Sequence, residues 1–316
     1  MGDCDQNSAI RKANGRQGVT NMNITRKNKQ TVILLAFVLP ALLFYAVFTI
    51  APTFGGVWYS LTNWNGLNPT YQMVGFSNYT EALGNDRYFI KSIVFTLQYV
   101  IYMVVLQNAI ALLLAVFVES RQKSKVLFRT VFFTPNMLSL IIGGFMWVFI
   151  FTKVLPSIAE KTGFLFLDQS WIGDPSWSFY SIIILSLWGG VGYQMVIYIA
   201  ALQGVPEQLR EAAAIDGASS VQTFRHVTLP MIYPAITIGI FLTLSSSFKV
   251  FDAVYALTGG GPGRSTQVIA LNIVEEAFRF NQRFGYASAK AIILFVIVLL
   301  ITMIQLWIMK RREVEA

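Results

Sequence analysis

The sequence predicts an all-α membrane protein of six transmembrane helices with both termini cytoplasmic, on three observations. Of its 316 residues, 55% are hydrophobic and only 13% are charged, where ordinary soluble domains carry about 25% charged residues. The apolar residues form continuous blocks of about 20 or more, long enough to cross a hydrocarbon core of roughly 30 Å. Lys and Arg fall unequally on alternate connections, as membrane orientation demands.

Taken in order, residues 1–31 are polar and basic, with neither the early apolar region nor the small-residue cleavage site of a signal peptide. Met22, ahead of Asn23-Ile24-Thr25-Arg26-Lys27, is a candidate start, which would make residues 1–21 an extension. A membrane domain is expected over 32–309, with spans at 32–55, 92–118, 128–151, 179–202, 232–257 and 287–309 and a short cytoplasmic tail at 310–316. Helices satisfy their own backbone groups in lipid. The blocks lack the strict alternation of barrel strands.

With the N-terminus inside, 15 of the 24 basic residues lie on inside segments: Arg11, Lys12, Arg16, Arg26, Lys27, Lys29, Arg121, Lys123, Lys125, Arg129, Arg210, Arg225, Lys310, Arg311 and Arg312. Eight lie outside: Arg87, Lys91, Lys153, Lys161, Arg264, Arg279, Arg283 and Lys290. Without the extension the ratio is 12 to 8 and its sign persists. The net charge of +8 therefore reads as topology, not as nucleic-acid binding. Trp58, Tyr59, Trp64, Trp171 and Trp177 flank outside connections, where interfacial anchoring is the expected role.

The single cysteine, Cys4, excludes an intramolecular disulfide, and with the single histidine, His226, it leaves no basis for a metal site or catalytic cluster. A membrane-embedded enzyme has nothing to work with. A channel or secondary transporter would be expected to show an inverted repeat, and none is evident. The cluster Gly259-Gly260-Gly261-Pro262-Gly263-Arg264 departs from a nucleotide loop, because Arg264 stands where that motif needs Lys and Thr258 where it needs the first Gly.

One inside connection is long, 204–231. Pro206 suits the first turn of a helix, and Glu207 complements the dipole there. Leu209, Ala212 and Ala213, with Ile215 at the margin, form an apolar side, and Gly217 is a natural stop. A second short helix through Val221 and Phe224 leads to Leu229-Pro230. Such a hairpin presents a compact surface to a cytoplasmic partner.

Two regions of the spans are candidates for a solute path. Trp188-Gly189-Gly190-Val191-Gly192-Tyr193-Gln194 combines close-approach glycines with an aromatic face (Trp188) and two hydrogen-bonding groups (Tyr193 and Gln194). Helix packing alone also accounts for the glycines. Lys249 and Asp252, expected on one face of the fifth span, are either a mutual ion pair or solute contacts.

The hairpin carries a specific pattern: Glu211-Ala212-Ala213, Asp216-Gly217, Val227 and Leu229-Pro230. It resembles the signature of permease subunits of binding-protein-dependent ABC importers. Val74-Gly75-Phe76-Ser77-Asn78-Tyr79, Phe248-Lys249-Val250-Phe251-Asp252, Leu257-Thr258-Gly259-Gly260-Gly261-Pro262-Gly263 and Phe284-Gly285-Tyr286-Ala287-Ser288-Ala289 resemble its carbohydrate branch, typified by the maltose and glycerol-3-phosphate permeases. The resemblance covers the chain from first span to last. It implies an ABC-importer permease-type bundle in a bacterial cytoplasmic membrane, paired with a second homologous permease, two ATP-binding subunits and an extracellular solute-binding protein. This chain would bind no cofactor, with ATP and Mg held by the partner ATPase. Glu211, Ala212, Ala213, Asp216, Gly217, Leu229 and Pro230 would form the coupling surface, with Glu211 meeting a basic residue of the ATPase. The solute path would include Trp188, Gly189, Gly190, Tyr193, Gln194, Thr243, Ser247, Lys249 and Asp252. Gly190 and Tyr193 match the branch, and Thr243 and Ser247 depart from it in residue type. A sugar or oligosaccharide is the expected solute, and glycerol 3-phosphate or another polyol derivative is the alternative.

Overall fold

The computed structural model describes residues 33–121, 123–279 and 282–310. Cys4, Met22, the basic residues up to Lys29, Arg311 and Arg312 lie outside the described residues. The helices are α1 (Ile33–Ser60), α2 (Ser77–Gly84), α3 (Arg87–Glu119), α4 (Lys125–Phe133), α5 (Leu140–Thr162) and α6 (Pro175–Gln203). They continue as α7 (Glu207–Ile215), α8 (Ser220–Met231), α9 (Tyr233–Ser247), α10 (Asp252–Leu257), α11 (Ile269–Val274) and α12 (Phe284–Lys310). Among the described residues the one β feature is an isolated bridge between Thr62 and Met73. Contacts divide the chain into two compact units, Met1–Trp58 and Tyr59–Ala316. The described part of the first is most of α1, whose large apolar side chains are exposed along its length.

Five helices are long and apolar enough to cross a membrane: α1, α3, α5, α6 and α12. A sixth crossing requires α8 and α9 together, which meet at a bend of 69°. Two spans differ from their sequence reading because each is broken. The third, expected as one block over 128–151, is interrupted at Pro135. Proline lacks an N–H and disfavours helical geometry before it, so Thr134–Met137 tightens to a 3₁₀ turn and Leu138 is extended. The helix resumes as α5 and continues to Thr162. The fifth, expected over 232–257, stops at Ser247. Serine hydroxyls compete for backbone carbonyls, and Ser246 Oγ donates to Thr243 O at 3.0 Å. Residues 248–251 turn out of the helix before α10 begins.

The second unit packs around α6, whose buried positions include Ser178, Ser181, Ser186, Gly189 and Gly192. Apolar burial drives little association inside lipid, so small residues and interhelical hydrogen bonds carry the contact. At Gly192 a Cβ would collide with the Phe132 carbonyl, so the end of α4 lies directly on α6. At Gly144 a Cβ would collide with Ala256, which seats α10 on α5. Deep in the bundle, Tyr198 of α6 donates to Asn108 of α3, whose amide reaches Thr243 of α9 at 3.3 Å.

One expectation for the connections is corrected. Trp171 is no interfacial anchor: it is 6% exposed, stacked on Phe151 at 5.4 Å and set edge-on to Trp177. The connection after α10 is packed into the bundle. Val268 and Ile269 are fully buried, and Thr96 of α3 accepts the Ile269 amide at 3.0 Å.

Candidate functional site

The breaks in the third and fifth spans face the same space, a cavity of about 430 Å³. α3 contributes Tyr99, Met103 and Gln107, and the first break contributes Asn136 and Leu138. α6 contributes Ser186, Gly189, Gly190, Tyr193 and Gln194, while α9 and the second break contribute Thr243, Ser246, Ser247, Lys249, Phe251 and Asp252. Irregular backbone at membrane depth is tolerated where it lines such a space. Polar side chains hold the walls together: Asn136 Nδ2 donates to Gly189 O at 3.1 Å and Gln107 Nε2 to Gly190 O at 3.4 Å. Gln194 is 1% exposed, and its Nε2 is buried without a hydrogen-bond partner among the described residues. That nitrogen is packed against Gly239 of α9, beside the Tyr198 hydroxyl, so it belongs to the close contact between α6 and α9.

The structure thus brings Gly189, Gly190, Tyr193, Gln194, Thr243, Ser247, Lys249 and Asp252 to one cavity. It does not bring Trp188, which packs edge-on to Trp147 at 6.0 Å and lies against Gly143. The single helix face expected for Lys249 and Asp252 is also corrected. The chain leaves the helix between them, and no ion pair joins them among the described residues. Both are exposed to the cavity, which therefore holds one cation and one anion.

The long connection is a helical hairpin. α7 buries none of its residues. Pro206 sits one position before the helix, at its N-cap, with ψ 130, and not in its first turn as expected. At the other end Gly217 takes φ +80, Ala218 N donates to Ala213 O and Gly217 N to Ala214 O. This paired closure needs a left-handed residue, and glycine adopts it without strain. Ser219 then caps α8 through a reciprocal pair with Gln222. Ile215 is 86% and Val221 75% exposed. Glu211 is exposed, with no ion-pair partner among the described residues. Near the hairpin root a second cavity of about 570 Å³ lies between Glu119, Lys125, Gln203 and Arg210.

A third group escaped the sequence reading. Lys290, expected on an outside segment, is fully buried within α12. It contacts Asp86 at 2.8 Å and Glu276 at 3.1 Å, and donates to Asn272 Oδ1 at 2.9 Å. Arg283 grips Glu81 with two bonds of 2.7 Å. The network ties α2, the start of α3, the segment following α11 and the start of α12, at the end of the molecule away from the hairpin. Hydrogen bonding from Arg283 holds the Glu81 carboxyl below the usual carboxylate range. Burial alone would raise Asp86, but Lys290, the Phe89 amide and Tyr286 more than offset it and leave it lowered. The signal available in sequence was a lysine three residues inside an apolar block, with Glu275 and Glu276 not far before it.

Comparison with known proteins completes the picture. Residues 107–314 match the family model of the binding-protein-dependent transport system inner membrane component. The chain is 40% identical over 280 residues to a probable starch degradation products transport system permease protein of Thermoanaerobacterium thermosulfurigenes, covering 88% of this chain and 94% of the relative. It is 36% identical over 278 residues to a multiple sugar-binding transport system permease protein of Streptococcus mutans, covering 88% and 95%. An sn-glycerol-3-phosphate transport system permease of Pectobacterium atrosepticum is 29% identical over 276 residues, covering 87% and 93%. In fold it is similar to a chain of a bacterial ABC transporter involved in import of the acidic polysaccharide alginate, with TM-score 0.79 and 22% identity, covering 92% of this chain and 99% of that one. The chain therefore belongs to the family of inner membrane components of binding-protein-dependent transport systems, the permease subunits of ABC importers.

Proposed function

We propose that this permease carries a neutral sugar or oligosaccharide through the cavity between α3, α6 and the two broken spans. The cavity chemistry supports this reading most directly. Hydroxyls and amides from four segments converge there, and Lys249 and Asp252 balance in charge. Sugar hydroxyls are both donors and acceptors, so Gln194, Thr243, Ser246 and Ser247 offer complementary partners, and Tyr193 and Phe251 offer apolar ring surface. The relatives named for starch products and for multiple sugars favour the same class. A phosphorylated polyol is the second reading. Lys249 and the glycerol-phosphate relative favour it, while the carboxylate of Asp252 opposes it.

In this proposal the hairpin 204–231 faces the cytoplasm and docks a separate ATP-binding subunit. Glu211, Ala212, Ala213, Asp216, Gly217, Leu229 and Pro230 form the coupling surface. The exposed Ile215 and Val221 supply apolar contact, and the unpaired Glu211 supplies a charge. A second homologous permease, two ATPases holding ATP and Mg, and an extracellular solute-binding protein complete the assembly. ATP-driven closure of the ATPases moves the hairpins and alternates access to the cavity.

Uptake by the reconstituted complex across a panel of neutral malto-oligosaccharides, acidic sugars and glycerol 3-phosphate tests the solute class. Transport confined to the phosphate ester would reverse the assignment. For the docking surface, Glu211→Lys should leave a folded permease that loses its ATPase or its solute-stimulated hydrolysis. Normal stimulation in that variant would remove Glu211 from the coupling surface.

A further inference from the structure

We propose that Arg210 is a positioning residue that pins the coupling helix α7 to the end of α6, so that hairpin movement reaches the cavity. The inference rests on the hairpin being the ATPase docking element.

α6 ends with no basic residue in its last turn. Terminal carbonyls of a helix carry partial negative charge, and a guanidinium donates them a charge-assisted hydrogen bond. Arg210 supplies it from the next helix: Nη2 donates to Leu202 O at 2.7 Å. This is the one hydrogen bond or ion pair that any α7 side chain makes to another element among the described residues. α7 buries none of its own residues, so little else holds it to the end of α6. Its covalent link to α6 is Gly204-Val205-Pro206, in which only Val205 is buried.

The end of α6 is anchored in turn. Gln203 Nε2 donates to Glu119 at 3.2 Å, and Glu119 pairs with Lys125 at the start of α4. Arg210 thus attaches the exposed helix to a junction of α3, α4 and α6. α3 and α6 line the cavity directly, and α4 leads into the first break. Without Arg210, a push on α7 would reach α6 only through the three-residue link. With it, displacement passes to α6, whose Gly189, Gly190, Tyr193 and Gln194 form one wall of the cavity.

The test uses the complete reconstituted complex with Arg210→Gln and Arg210→Lys, reading solute taken up per ATP hydrolysed. The Gln variant should still co-purify with its ATPase, while uptake per ATP falls about tenfold, within the usual range of coupling effects between sites. Lys keeps the charge and most of the reach, and should recover much of the loss. An unchanged ratio in Arg210→Gln would overturn the proposal. So would failure of both variants to assemble, which would assign Arg210 to folding of the hairpin. Glu211→Lys, run in parallel, separates the two ideas. If it retains the ATPase and full coupling, the docking assignment fails at Glu211, whatever Arg210 does.

Discussion

Tyr193 shows how a single side chain is placed by its neighbours. Gly189, Gly190 and Gly192 let Leu140, Gln107 and the Phe132 carbonyl pack closely on α6, while the Tyr193 ring stands 47% exposed beside the cavity. Tyr193→Ala removes one hydrogen-bonding group and the ring surface, worth about 1–2 kcal/mol together. Uptake at limiting solute should fall about tenfold, with the loss in apparent affinity for solute. An unaltered uptake curve would exclude Tyr193 from the path. Trp188, five residues earlier and so on another side of α6, shows the limit of such reading. Its indole lies against Trp147 and Gly143, in contact with α5 and not with the cavity.

At the scale of elements, hydropathy made the spans legible because long apolar blocks have few other uses. It did not reveal the breaks, because a block of apolar residues looks the same whether straight or interrupted. Thr134-Pro135-Asn136 and Ser245-Ser246-Ser247 were the available signals, and both breaks deliver cavity residues. Asn136 and Ser246 were missed for that reason, and Gln107 because a lone amide in the unbroken α3 carries no sign of which face lines the cavity. The hairpin read more clearly, since helix caps and Gly217 are local signals, although Pro206 lies one residue earlier than expected. Small residues at element contacts can be tested directly. Gly192→Val drives a side chain into the Phe132 carbonyl, an overpacking cost of about 1–3 kcal/mol. The variant should melt earlier in detergent, whereas Gly56→Ala, with open space around it, should leave the melting temperature unchanged.

For the whole molecule, the charge network around the buried Lys290, at the end away from the hairpin, is the largest feature that hydropathy could not disclose. Its members lie far apart in sequence, from Glu81 to Lys290, and only the fold assembles them. Removing one partner of a buried pair costs about 3–5 kcal/mol, because the other charge is stranded. Lys290→Met leaves Asp86 and Glu276 facing each other, so a marked loss of thermal stability is expected, read as a lower melting temperature. Glu81 and Asp86 have lowered pKa values, so their stabilisation is present above the ordinary carboxylate range and is lost as pH falls through the depressed values. Melting temperature should therefore begin to drop as pH falls below about 5 and go on dropping through the acid range, less steeply in an Asp86→Asn variant.

The elbow between α8 and α9 has a mechanical consequence. Its two arms meet at 69° around Ile232, which is 1% exposed and wedged by the surrounding core. In the proposed docking, such a joint would work as a bell crank: a sideways stroke at the tip of α8 would emerge as a tilt of α9, toward or away from the Lys249 turn. Its stiffness would then set the gearing between a stroke delivered at the hairpin and the width of the passage.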